Sequence, residues 1–238
     1  MKNSTTILTC IFGLIVFALI VSPLHAQVTD YDGKTYPTVV IGRQVWMAED
    51  LQVKHYRNGD PIQVIDCPRD LDNQKSPMWN STQTGALCIE KKPGRDVYIK
   101  GGRNSCVLYN WHAVNDSRGL APEGWHIPSQ QEWMQLIEFL GGVNVAGNMM
   151  KSLNGWDYKY ATNGNNISGF NALPTGERSE VGFYMGFSQY AWYWTSSPDQ
   201  DYYAHCLQLG WQVQNSSALL FGNHYRQAGL AVRCVKDE

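Results

Sequence analysis

The chain has 238 residues, of which 17% are charged, and its 19 basic and 21 acidic side chains give a net charge of −2. This near balance excludes a strongly basic surface and argues against nucleic acid or an anionic membrane as a partner. The sequence is rich in large rings, with 9 tryptophans and 13 tyrosines. Such a composition is typical of an extracellular β-rich domain with aromatic recognition surfaces, and it equally fits a domain that packs its core around large rings.

The first 26 residues have the pattern of a secretory signal peptide. Lys2 precedes an apolar run over residues 7–21, and the small residue Ala26 ends the segment. The run is about 15 residues long, short of the roughly 20 that a membrane span needs, so we prefer a cleaved signal to the alternative of a permanent anchor. We therefore predict a secreted, cell-surface or periplasmic protein without an integral membrane anchor after cleavage. Residues 27–238 then suffice for one domain with elaborations.

Cleavage would remove Cys10 from the 6 cysteines and leave five disulfide candidates, so at least one thiol stays unpaired. None of the five stands in a C-x-x-C pair, which disfavours zinc-knuckle and thioredoxin-type sites. Cys67 and Cys88 bracket one polar stretch, and we favour this pair because closing the loop would contribute about 3 kcal/mol in the chain-entropy model. The candidates are Cys67, Cys88, Cys106, Cys206 and Cys234.

The sequence of the N-terminal half of this domain predicts three strands, with an irregular insertion between the second strand and the third. Residues 38–41 and 44–47 are mostly β-branched or apolar and are separated by Gly42-Arg43, which predicts a β-hairpin. From about residue 58 to residue 102, prolines, glycines and mixed charge leave no sustained period, and we interpret this stretch as an ordered loop insertion rather than a domain. Residues 106–111 then predict a further strand.

The clearest helix signal lies in the middle of the chain. Ser129 and Glu132 have the spacing of a capping box, so a helix should begin after Ser129. Its apolar face recurs at i, i+3, i+4 and i+7, and Gly141-Gly142 should end it. A second amphipathic helix is expected over residues 146–153. The predicted buried faces are Trp133, Leu136, Ile137 and Leu140 in the first helix and Ala146, Met149, Met150 and Leu153 in the second.

The aromatic C-terminal part predicts more strands. Alternation in one of them places His205 on the same face as Leu207, opposite to Cys206. Residues 222–226, GNHYR, are interpreted as a polar loop. The strand-like stretches are residues 191–195, 204–209 and 229–235.

Six short motifs in a fixed order span nearly all of the chain after the predicted signal peptide. They are IGRQVWMAEDL at residues 41–51, LYNW at 108–111, PEGWHIPSQQEW at 122–133, GFNALP at 169–174, WTSS at 194–197 and VRCVKD at 232–237. The first resembles the pattern IGxQxWMAENL and the third resembles PxGWHxPxxxEW. Each motif alone is weak evidence, but together and in this order they resemble the Fibrobacter succinogenes major paralogous domain.

This family is similar to the C-type lectin-like superfamily. The resemblance implies an α+β fold in which two helices pack on twisted antiparallel sheets and the N- and C-terminal strands pair. In this chain, residues 27–238 would form a single C-type lectin-like domain with a loop insertion at about residues 58–102. It also implies an exported bacterial protein, commonly of Bacteroidetes or Fibrobacter type. Ala121 stands where many members have a cysteine, which leaves Cys234 without its usual partner. Cys106 or Cys206 could substitute, although alternation puts Cys206 and Cys234 on different faces.

The sequence lacks the motifs of common catalytic and metal sites. It has no G-x-S-x-G, no H-E-x-x-H and no glycine-rich phosphate loop. True C-type lectins bind calcium through Glu/Gln-Pro-Asn/Asp and Trp-Asn-Asp sequences, and neither sequence occurs in this chain. Asp199 could offer oxygen atoms to a cation, but we interpret it as a solvated loop carboxylate. His126 and His205 are interpreted as core histidines, whereas His224 is expected to meet a ligand. We therefore predict no metal, no cofactor and no catalytic residue.

These observations favour an exported, non-catalytic binding module that recognises a glycan or an extracellular protein through C-terminal aromatic and amide side chains. Tyrosine offers a large contact area at low entropic cost, and Asn and Gln offer adaptable hydrogen bonds. One alternative is a structural cell-envelope protein without a soluble ligand. Another is an oxidase of the formylglycine-generating type, which has a related fold and uses cysteine and copper. The candidate ligand-binding residues are Tyr190, Tyr193, Asp199, Tyr202, Tyr203, Gln212, Gln214, Asn215, Asn223, His224, Tyr225 and Arg226.

Overall fold

The computed structural model describes residues 26–65, 77–91, 105–157, 162–210 and 219–238. The predicted signal peptide falls outside this part of the chain except for Ala26. Cys67 and the candidate residues Gln212, Gln214 and Asn215 also lie outside it. Within the described ranges, no helix is both long enough and apolar enough to cross a membrane.

The described residues form thirteen strands and four short helices, which confirms the predicted α+β class. The helices are α1 (Pro77–Ser81), α2 (Trp111–Val114), α3 (Gln130–Phe139) and α4 (Ala146–Met150). The strands are β1 (Gln27–Thr29), β2 (Thr35–Ile41), β3 (Gln44–Met47), β4 (Gln63–Val64), β5 (Ala86–Lys91), β6 (Ser105–Tyr109), β7 (Trp125–His126), β8 (Glu177–Arg178), β9 (Tyr184–Met185), β10 (Tyr190–Pro198), β11 (Tyr203–Gly210), β12 (Leu219–Tyr225) and β13 (Val235–Lys236).

These strands build four sheets within the described ranges. The largest has the order β1-β2-β3-β13-β7, and the C-terminal sheet has the order β10-β11-β12. All strand pairs in these two sheets are antiparallel. A third sheet, β4-β5-β6, contains one parallel pair, and β8 with β9 forms a small ribbon.

The N-terminal hairpin forms as its sequence predicts. Ile41 pairs with Gln44 across a two-residue turn, in which Gly42 adopts φ +64°, a conformation that glycine tolerates well. Val235 of β13 pairs with Trp46 on one side and with His126 on the other. The C-terminal strand therefore closes the sheet against the N-terminal hairpin, which confirms the strand pairing that the family resemblance implied.

Helix α3 also begins and ends as predicted. The Ser129 hydroxyl accepts a hydrogen bond from the Glu132 backbone N–H, and the Glu132 carboxylate accepts one from the Ser129 backbone N–H. The predicted apolar face is buried, and the chain leaves the helix through Gly141 and Gly142, both at positive φ. Local capping and periodicity thus specify where this helix begins and ends and which face it buries.

One predicted helix and one predicted strand end earlier than expected. Helix α4 ends at Met150, and Leu153 is 58% exposed instead of continuing the buried face. The strand predicted over residues 106–111 ends at Tyr109, because the Asn110 side chain accepts a hydrogen bond from the Ala113 N–H and starts α2.

The stretch interpreted as an irregular insertion contains regular structure. Its described part includes β4, α1 and β5, and residues 87–91 of β5 pair with β6. Leu87 and Cys88 of β5 are buried in the core. The short run ALCIEK lacks a clean alternation because both of its faces meet apolar neighbours, so its strand character was not visible in the sequence.

The C-terminal strands were predicted in part. Strands β10 and β11 confirm the stretches 191–195 and 204–209, but the polar loop predicted over residues 222–226 is wrong. That stretch lies mainly in β12, where Tyr225 pairs with Tyr203 of β11. The strand predicted over residues 229–235 instead makes isolated bridges, and only its last residue belongs to β13.

The C-terminal sheet lies between two apolar clusters. Leu207 of β11 packs in one cluster with Trp133 of α3 and Met150 of α4, and Cys206 packs in the other. The Trp133 ring lies 4.7 Å from that of Trp46, which joins α3 to the N-terminal hairpin. The two helices therefore pack against antiparallel sheets, as expected.

The described cysteines do not form the pairing that was considered for Cys234. Cys206 and Cys234 are free, buried thiols in the same apolar cluster. Cys88 is buried in β5, and Cys106 is half-buried in β6. The favoured Cys67–Cys88 pair lies partly outside the described residues and stays a prediction.

Candidate functional site

Two of the candidate tyrosines belong to the core, which corrects their assignment as ligand contacts. Tyr193 is fully buried, and its ring lies 5.6 Å from that of Trp133 and 6.0 Å from that of Phe170. Tyr190 is 4% exposed, and its hydroxyl donates a hydrogen bond of 3.3 Å to Glu177. Both rings pack inside the molecule, because this part of β10 has apolar neighbours on both faces.

The strand register divides the other C-terminal candidates between the two faces of the sheet. Tyr203 pairs with Tyr225, and His205 pairs with Asn223 two residues further along. Side chains at alternate positions share a face, so these four lie together. His224 pairs with Ala204 and therefore points to the opposite face.

Where β11 begins, the face that carries Tyr203 is open to solvent and holds a pair of stacked tyrosines. The rings of Tyr203 and Tyr225 lie 4.7 Å apart at 35°, and a hydrogen bond with Tyr225 raises the pKa of Tyr203. Tyr225 is 40% exposed, and Tyr202 in the preceding turn is 70% exposed. Large aromatic surface of this kind, open to solvent beside polar groups, is typical of recognition surfaces.

Polar groups continue the same face. The Asn223 side-chain amide donates a hydrogen bond of 2.7 Å to Asp199, and the other Asp199 oxygen lies 4.0 Å from the Nε2 atom of His205. His205 was interpreted as a core histidine, but its side chain is 30% exposed and belongs to this surface. We refer to this set of residues as the tyrosine surface. It comprises Asp199, Tyr202, Tyr203, His205, Asn223 and Tyr225.

His224 occupies the inner face, contrary to the expectation that it meets a ligand. Its Nε2 atom lies 2.7 Å from Glu177 Oε2, and its side chain is 17% exposed. The ring makes edge contacts with Trp192 at 5.8 Å and with Trp194 at 6.4 Å. The ring is thus largely buried beside two indoles, a position that the polarity of GNHYR did not indicate.

Arg226 turns away from the tyrosine surface into a neighbouring cleft. Its Nε atom donates to the Tyr203 carbonyl at 3.1 Å, and its guanidinium lies 4.6 Å from the centre of the Trp111 ring. The cleft has a volume of about 340 Å³ and is bordered by Arg226 just after β12, by α2 and by the turns next to α2 and β5. Apart from Arg226, its lining was missed by sequence reasoning: Gln83, Thr84, Gly85, Trp111, His112, Asn115, Asp116, Ser117 and Arg118.

His126 in the central motif has carboxylate partners, which corrects its interpretation as a core histidine bonded to backbone. Its Nε2 lies 2.6 Å from Glu132, and its Nδ1 lies 2.6 Å from Asp237 near the C-terminus. The hydrogen bond to Glu132 is the main reason that the pKa of His126 rises to about 9, although burial opposes the shift. Burial alone would raise the pKa of Glu132, but hydrogen bonds from His126 and Ser129 outweigh it and lower that pKa to about 2.

The two C-terminal thiols are poorly placed for reactive chemistry. Burial is the main cause that raises the pKa of both Cys206 and Cys234, so both stay protonated. A thiol is a nucleophile or a metal ligand chiefly as the thiolate. In the part of the chain that the structure describes, no group of three His, Cys, Asp or Glu side chains is arranged to hold a metal ion.

Comparison with known proteins gives one match. The model of a family described as the Fibrobacter succinogenes major domain matches residues 39–236. This range includes the last three residues of β2, all of β3, both central helices and the whole C-terminal sheet. No curated protein and no solved structure matches the chain.

Proposed function

The chain belongs to the Fibrobacter succinogenes major domain family, and on this premise we propose that it is an exported, non-catalytic module that binds a glycan or an extracellular protein through the tyrosine surface. The observation that carries this proposal is the exposed pair of Tyr203 and Tyr225, with hydrogen-bonding groups of Asp199 and Asn223 on the same face. The pyranose faces of sugars and the apolar side chains of proteins both pack on such rings. The flanking carboxylate and amide supply directional bonds to hydroxyl or backbone groups.

The surface is preorganised, which supports a binding role. Tyr203 and Tyr225 restrain each other by ring contact, and the Asn223 amide is held by Asp199. Side chains that are ordered before binding lose less entropy when a ligand arrives. The backbone beneath them is fixed by the continuous pairing of β11 with β12.

We further propose that the domain is a C-type lectin-like fold. The closure of the N-terminal hairpin by β13, the two central helices and the separate C-terminal sheet support this assignment. The tyrosine surface then lies near the C-terminus, where the related lectin-fold proteins carry their variable binding surface. Superposition of an experimental structure on a C-type lectin-like domain checks the assignment strand by strand.

The buried, protonated thiols argue against the copper-oxidase alternative. Copper of that kind needs soft thiolate ligands, and raised pKa values keep Cys206 and Cys234 in the thiol form. The alternative of a structural envelope protein predicts that no soluble ligand binds at all. A binding screen therefore separates it from our proposal.

The test combines a glycan array with a pull-down from cell-surface extracts. We expect wild-type protein to give a signal in one of the two assays, which decides between glycan and protein, and we expect Tyr203→Ala, Asn223→Ala and Tyr225→Ala each to weaken it at least tenfold. Tyr31→Ala is the matched control, because Tyr31 is 56% exposed and lies outside the tyrosine surface. No signal in either assay, or equal signals from all variants, would contradict the proposal.

A further inference from the structure

The cleft beside the tyrosine surface has the properties of a separate binding site. Its volume of about 340 Å³ is at the small end of the range of roughly 300–1,000 Å³ that is usual for ligand pockets. Most side chains that line it are polar, including those of Thr84, Asn115 and Asp116. A cleft of this size and polarity suits one small, hydrophilic molecule.

Arg226 is held rigidly at the wall of this cleft. Its Nε atom donates to the Tyr203 carbonyl and its Nη2 atom to the Gln200 carbonyl, at 3.1 and 3.4 Å. The Trp111 ring lies under the guanidinium, and the Trp111 backbone N–H donates to the Arg226 carbonyl at 2.8 Å. These bonds use two of the five N–H groups of the guanidinium, and the Nη1 pair makes no bond to a described residue.

The two arginines that line the cleft, Arg118 and Arg226, differ in how far neighbouring carboxylates neutralise their charge. Arg118 forms a two-point pair with Asp116, at 2.9 and 2.8 Å, and a further bond of 3.2 Å to Asp60. Among the described residues, no carboxylate lies within ion-pair distance of Arg226. The Arg226 side of the cleft therefore carries a positive charge that these residues do not balance.

His112 supplies the second observation. It lines the cleft, and its buried Nε2 atom has no hydrogen-bond partner in the part of the chain that the structure describes. A buried polar atom without a partner costs about 1–3 kcal/mol, so a water or a small ligand that supplied the missing bond would be stabilised there. Burial and the charge of Arg226 lower the pKa of His112, which keeps the ring neutral and able either to donate or to accept.

We propose that this cleft binds a carboxylate-bearing sugar, such as a hexuronic acid, with its carboxylate on Arg226 and its ring hydroxyls on the polar wall next to His112. Arginine matches the planar carboxylate through two parallel bonds. The sugar ring accounts for the size of the cleft, which a simple anion would leave largely empty. This site is distinct from the tyrosine surface and does not depend on the function proposed for that surface.

Titration calorimetry with galacturonate, galactose and acetate tests the proposal on the protein without its signal peptide. We expect galacturonate to bind at least tenfold more tightly than galactose or acetate, and Arg226→Gln to remove this preference. Arg43→Gln, a change to an exposed arginine in the N-terminal hairpin, is the control and should bind as wild type does. Equal binding of galacturonate and galactose, equal binding of galacturonate and acetate, or full retention by Arg226→Gln would each overturn the proposal.

Misfolding of Arg226→Gln would also remove binding, so a second measurement uses the wild-type protein. In the wild-type protein, NMR titration of the His112 ring should show a higher pKa with bound galacturonate than without, because the carboxylate offsets the charge of Arg226. The His112 signal is assigned by its loss in His112→Gln. An unchanged His112 pKa at saturating galacturonate would place the ligand elsewhere and contradict the proposal.

Discussion

His126 links the central motif to the C-terminus through two carboxylates. Its pKa is raised from 6.5 to about 9 in the folded protein, so this residue contributes stability fully below pH 6.5 and loses that contribution as the pH rises through about 9. The pKa of Glu132 is lowered from 4.5 to about 2, so its contribution is present above pH 4.5 and is lost as the pH falls through about 2. The interaction between His126 and Glu132 therefore contributes its full stabilisation between pH 4.5 and pH 6.5.

We predict that His126→Gln lowers the melting temperature most between pH 5 and pH 6.5 and that the difference from wild type shrinks above about pH 9. The His126 side chain is 39% exposed, so solvent screening limits the loss to about 1 kcal/mol or less. Thermal melts of both proteins across this pH range provide the check. A difference that stays constant from neutral to alkaline pH would show that packing rather than charge is lost.

Helix α3 could be predicted from the sequence because every signal that defines it is local. The capping box of Ser129 and Glu132, the spacing of the apolar residues and the terminal glycines all lie within fifteen positions of one another. Strand β12 could not be predicted, since residues 222–226 are polar on both faces. One face is exposed, whereas the other carries His224, which is polar yet covered by its contacts with Glu177 and Trp192.

The cap of α3 gives a prediction at the scale of this element. Ser129→Ala removes the hydroxyl that accepts from the Glu132 N–H and donates to the Glu132 carboxylate at 2.7 Å. Loss of such a cap costs about 1 kcal/mol, and urea unfolding should show a lower midpoint at an unchanged slope. Ser81→Ala is the control, because Ser81 is exposed at the end of α1. Equal midpoints for the two variants would mean that the cap does not limit the stability of the domain.

At the scale of the whole molecule, a buried ion pair joins the two ends of the domain. Arg233 is fully buried, and its Nε donates to Asp50 at 2.9 Å, while its Nη1 donates to the Met47 carbonyl at 3.0 Å. The Phe170 ring lies 4.1 Å from the guanidinium carbon. Three of the recognised family motifs therefore meet at this arginine, although they are far apart in the sequence.

Removal of one partner leaves the other charge buried without compensation. We predict that Asp50→Ala destabilises the protein by about 3–5 kcal/mol, measured by chemical denaturation. Glu49→Ala serves as the control, because its 3.4 Å pair with Lys34 is partly exposed and is worth at most about 1 kcal/mol. Similar losses for the two variants would show that the buried pair does not hold the ends together.

The location of the candidate site was easier to predict than its composition. Aromatic and amide residues identified the C-terminal region, and the structure brings Tyr203, Asn223 and Tyr225 onto one face. The sequence could not show that Tyr193 is buried, because that depends on packing against Trp133 of a distant helix. The cleft was missed for a similar reason, since its walls come from separate parts of the chain that only the fold brings together.

The central claim is that ligands bind on the tyrosine surface. Hydrogen–deuterium exchange of the wild-type protein, with and without the polysaccharide or surface protein that gives the strongest screening signal, tests this claim without any substitution. We expect slower exchange on binding at residues 199–205 and 222–226 and unchanged exchange in the N-terminal hairpin. Protection confined to the hairpin, or to any region that leaves both of those stretches unaffected, would contradict it.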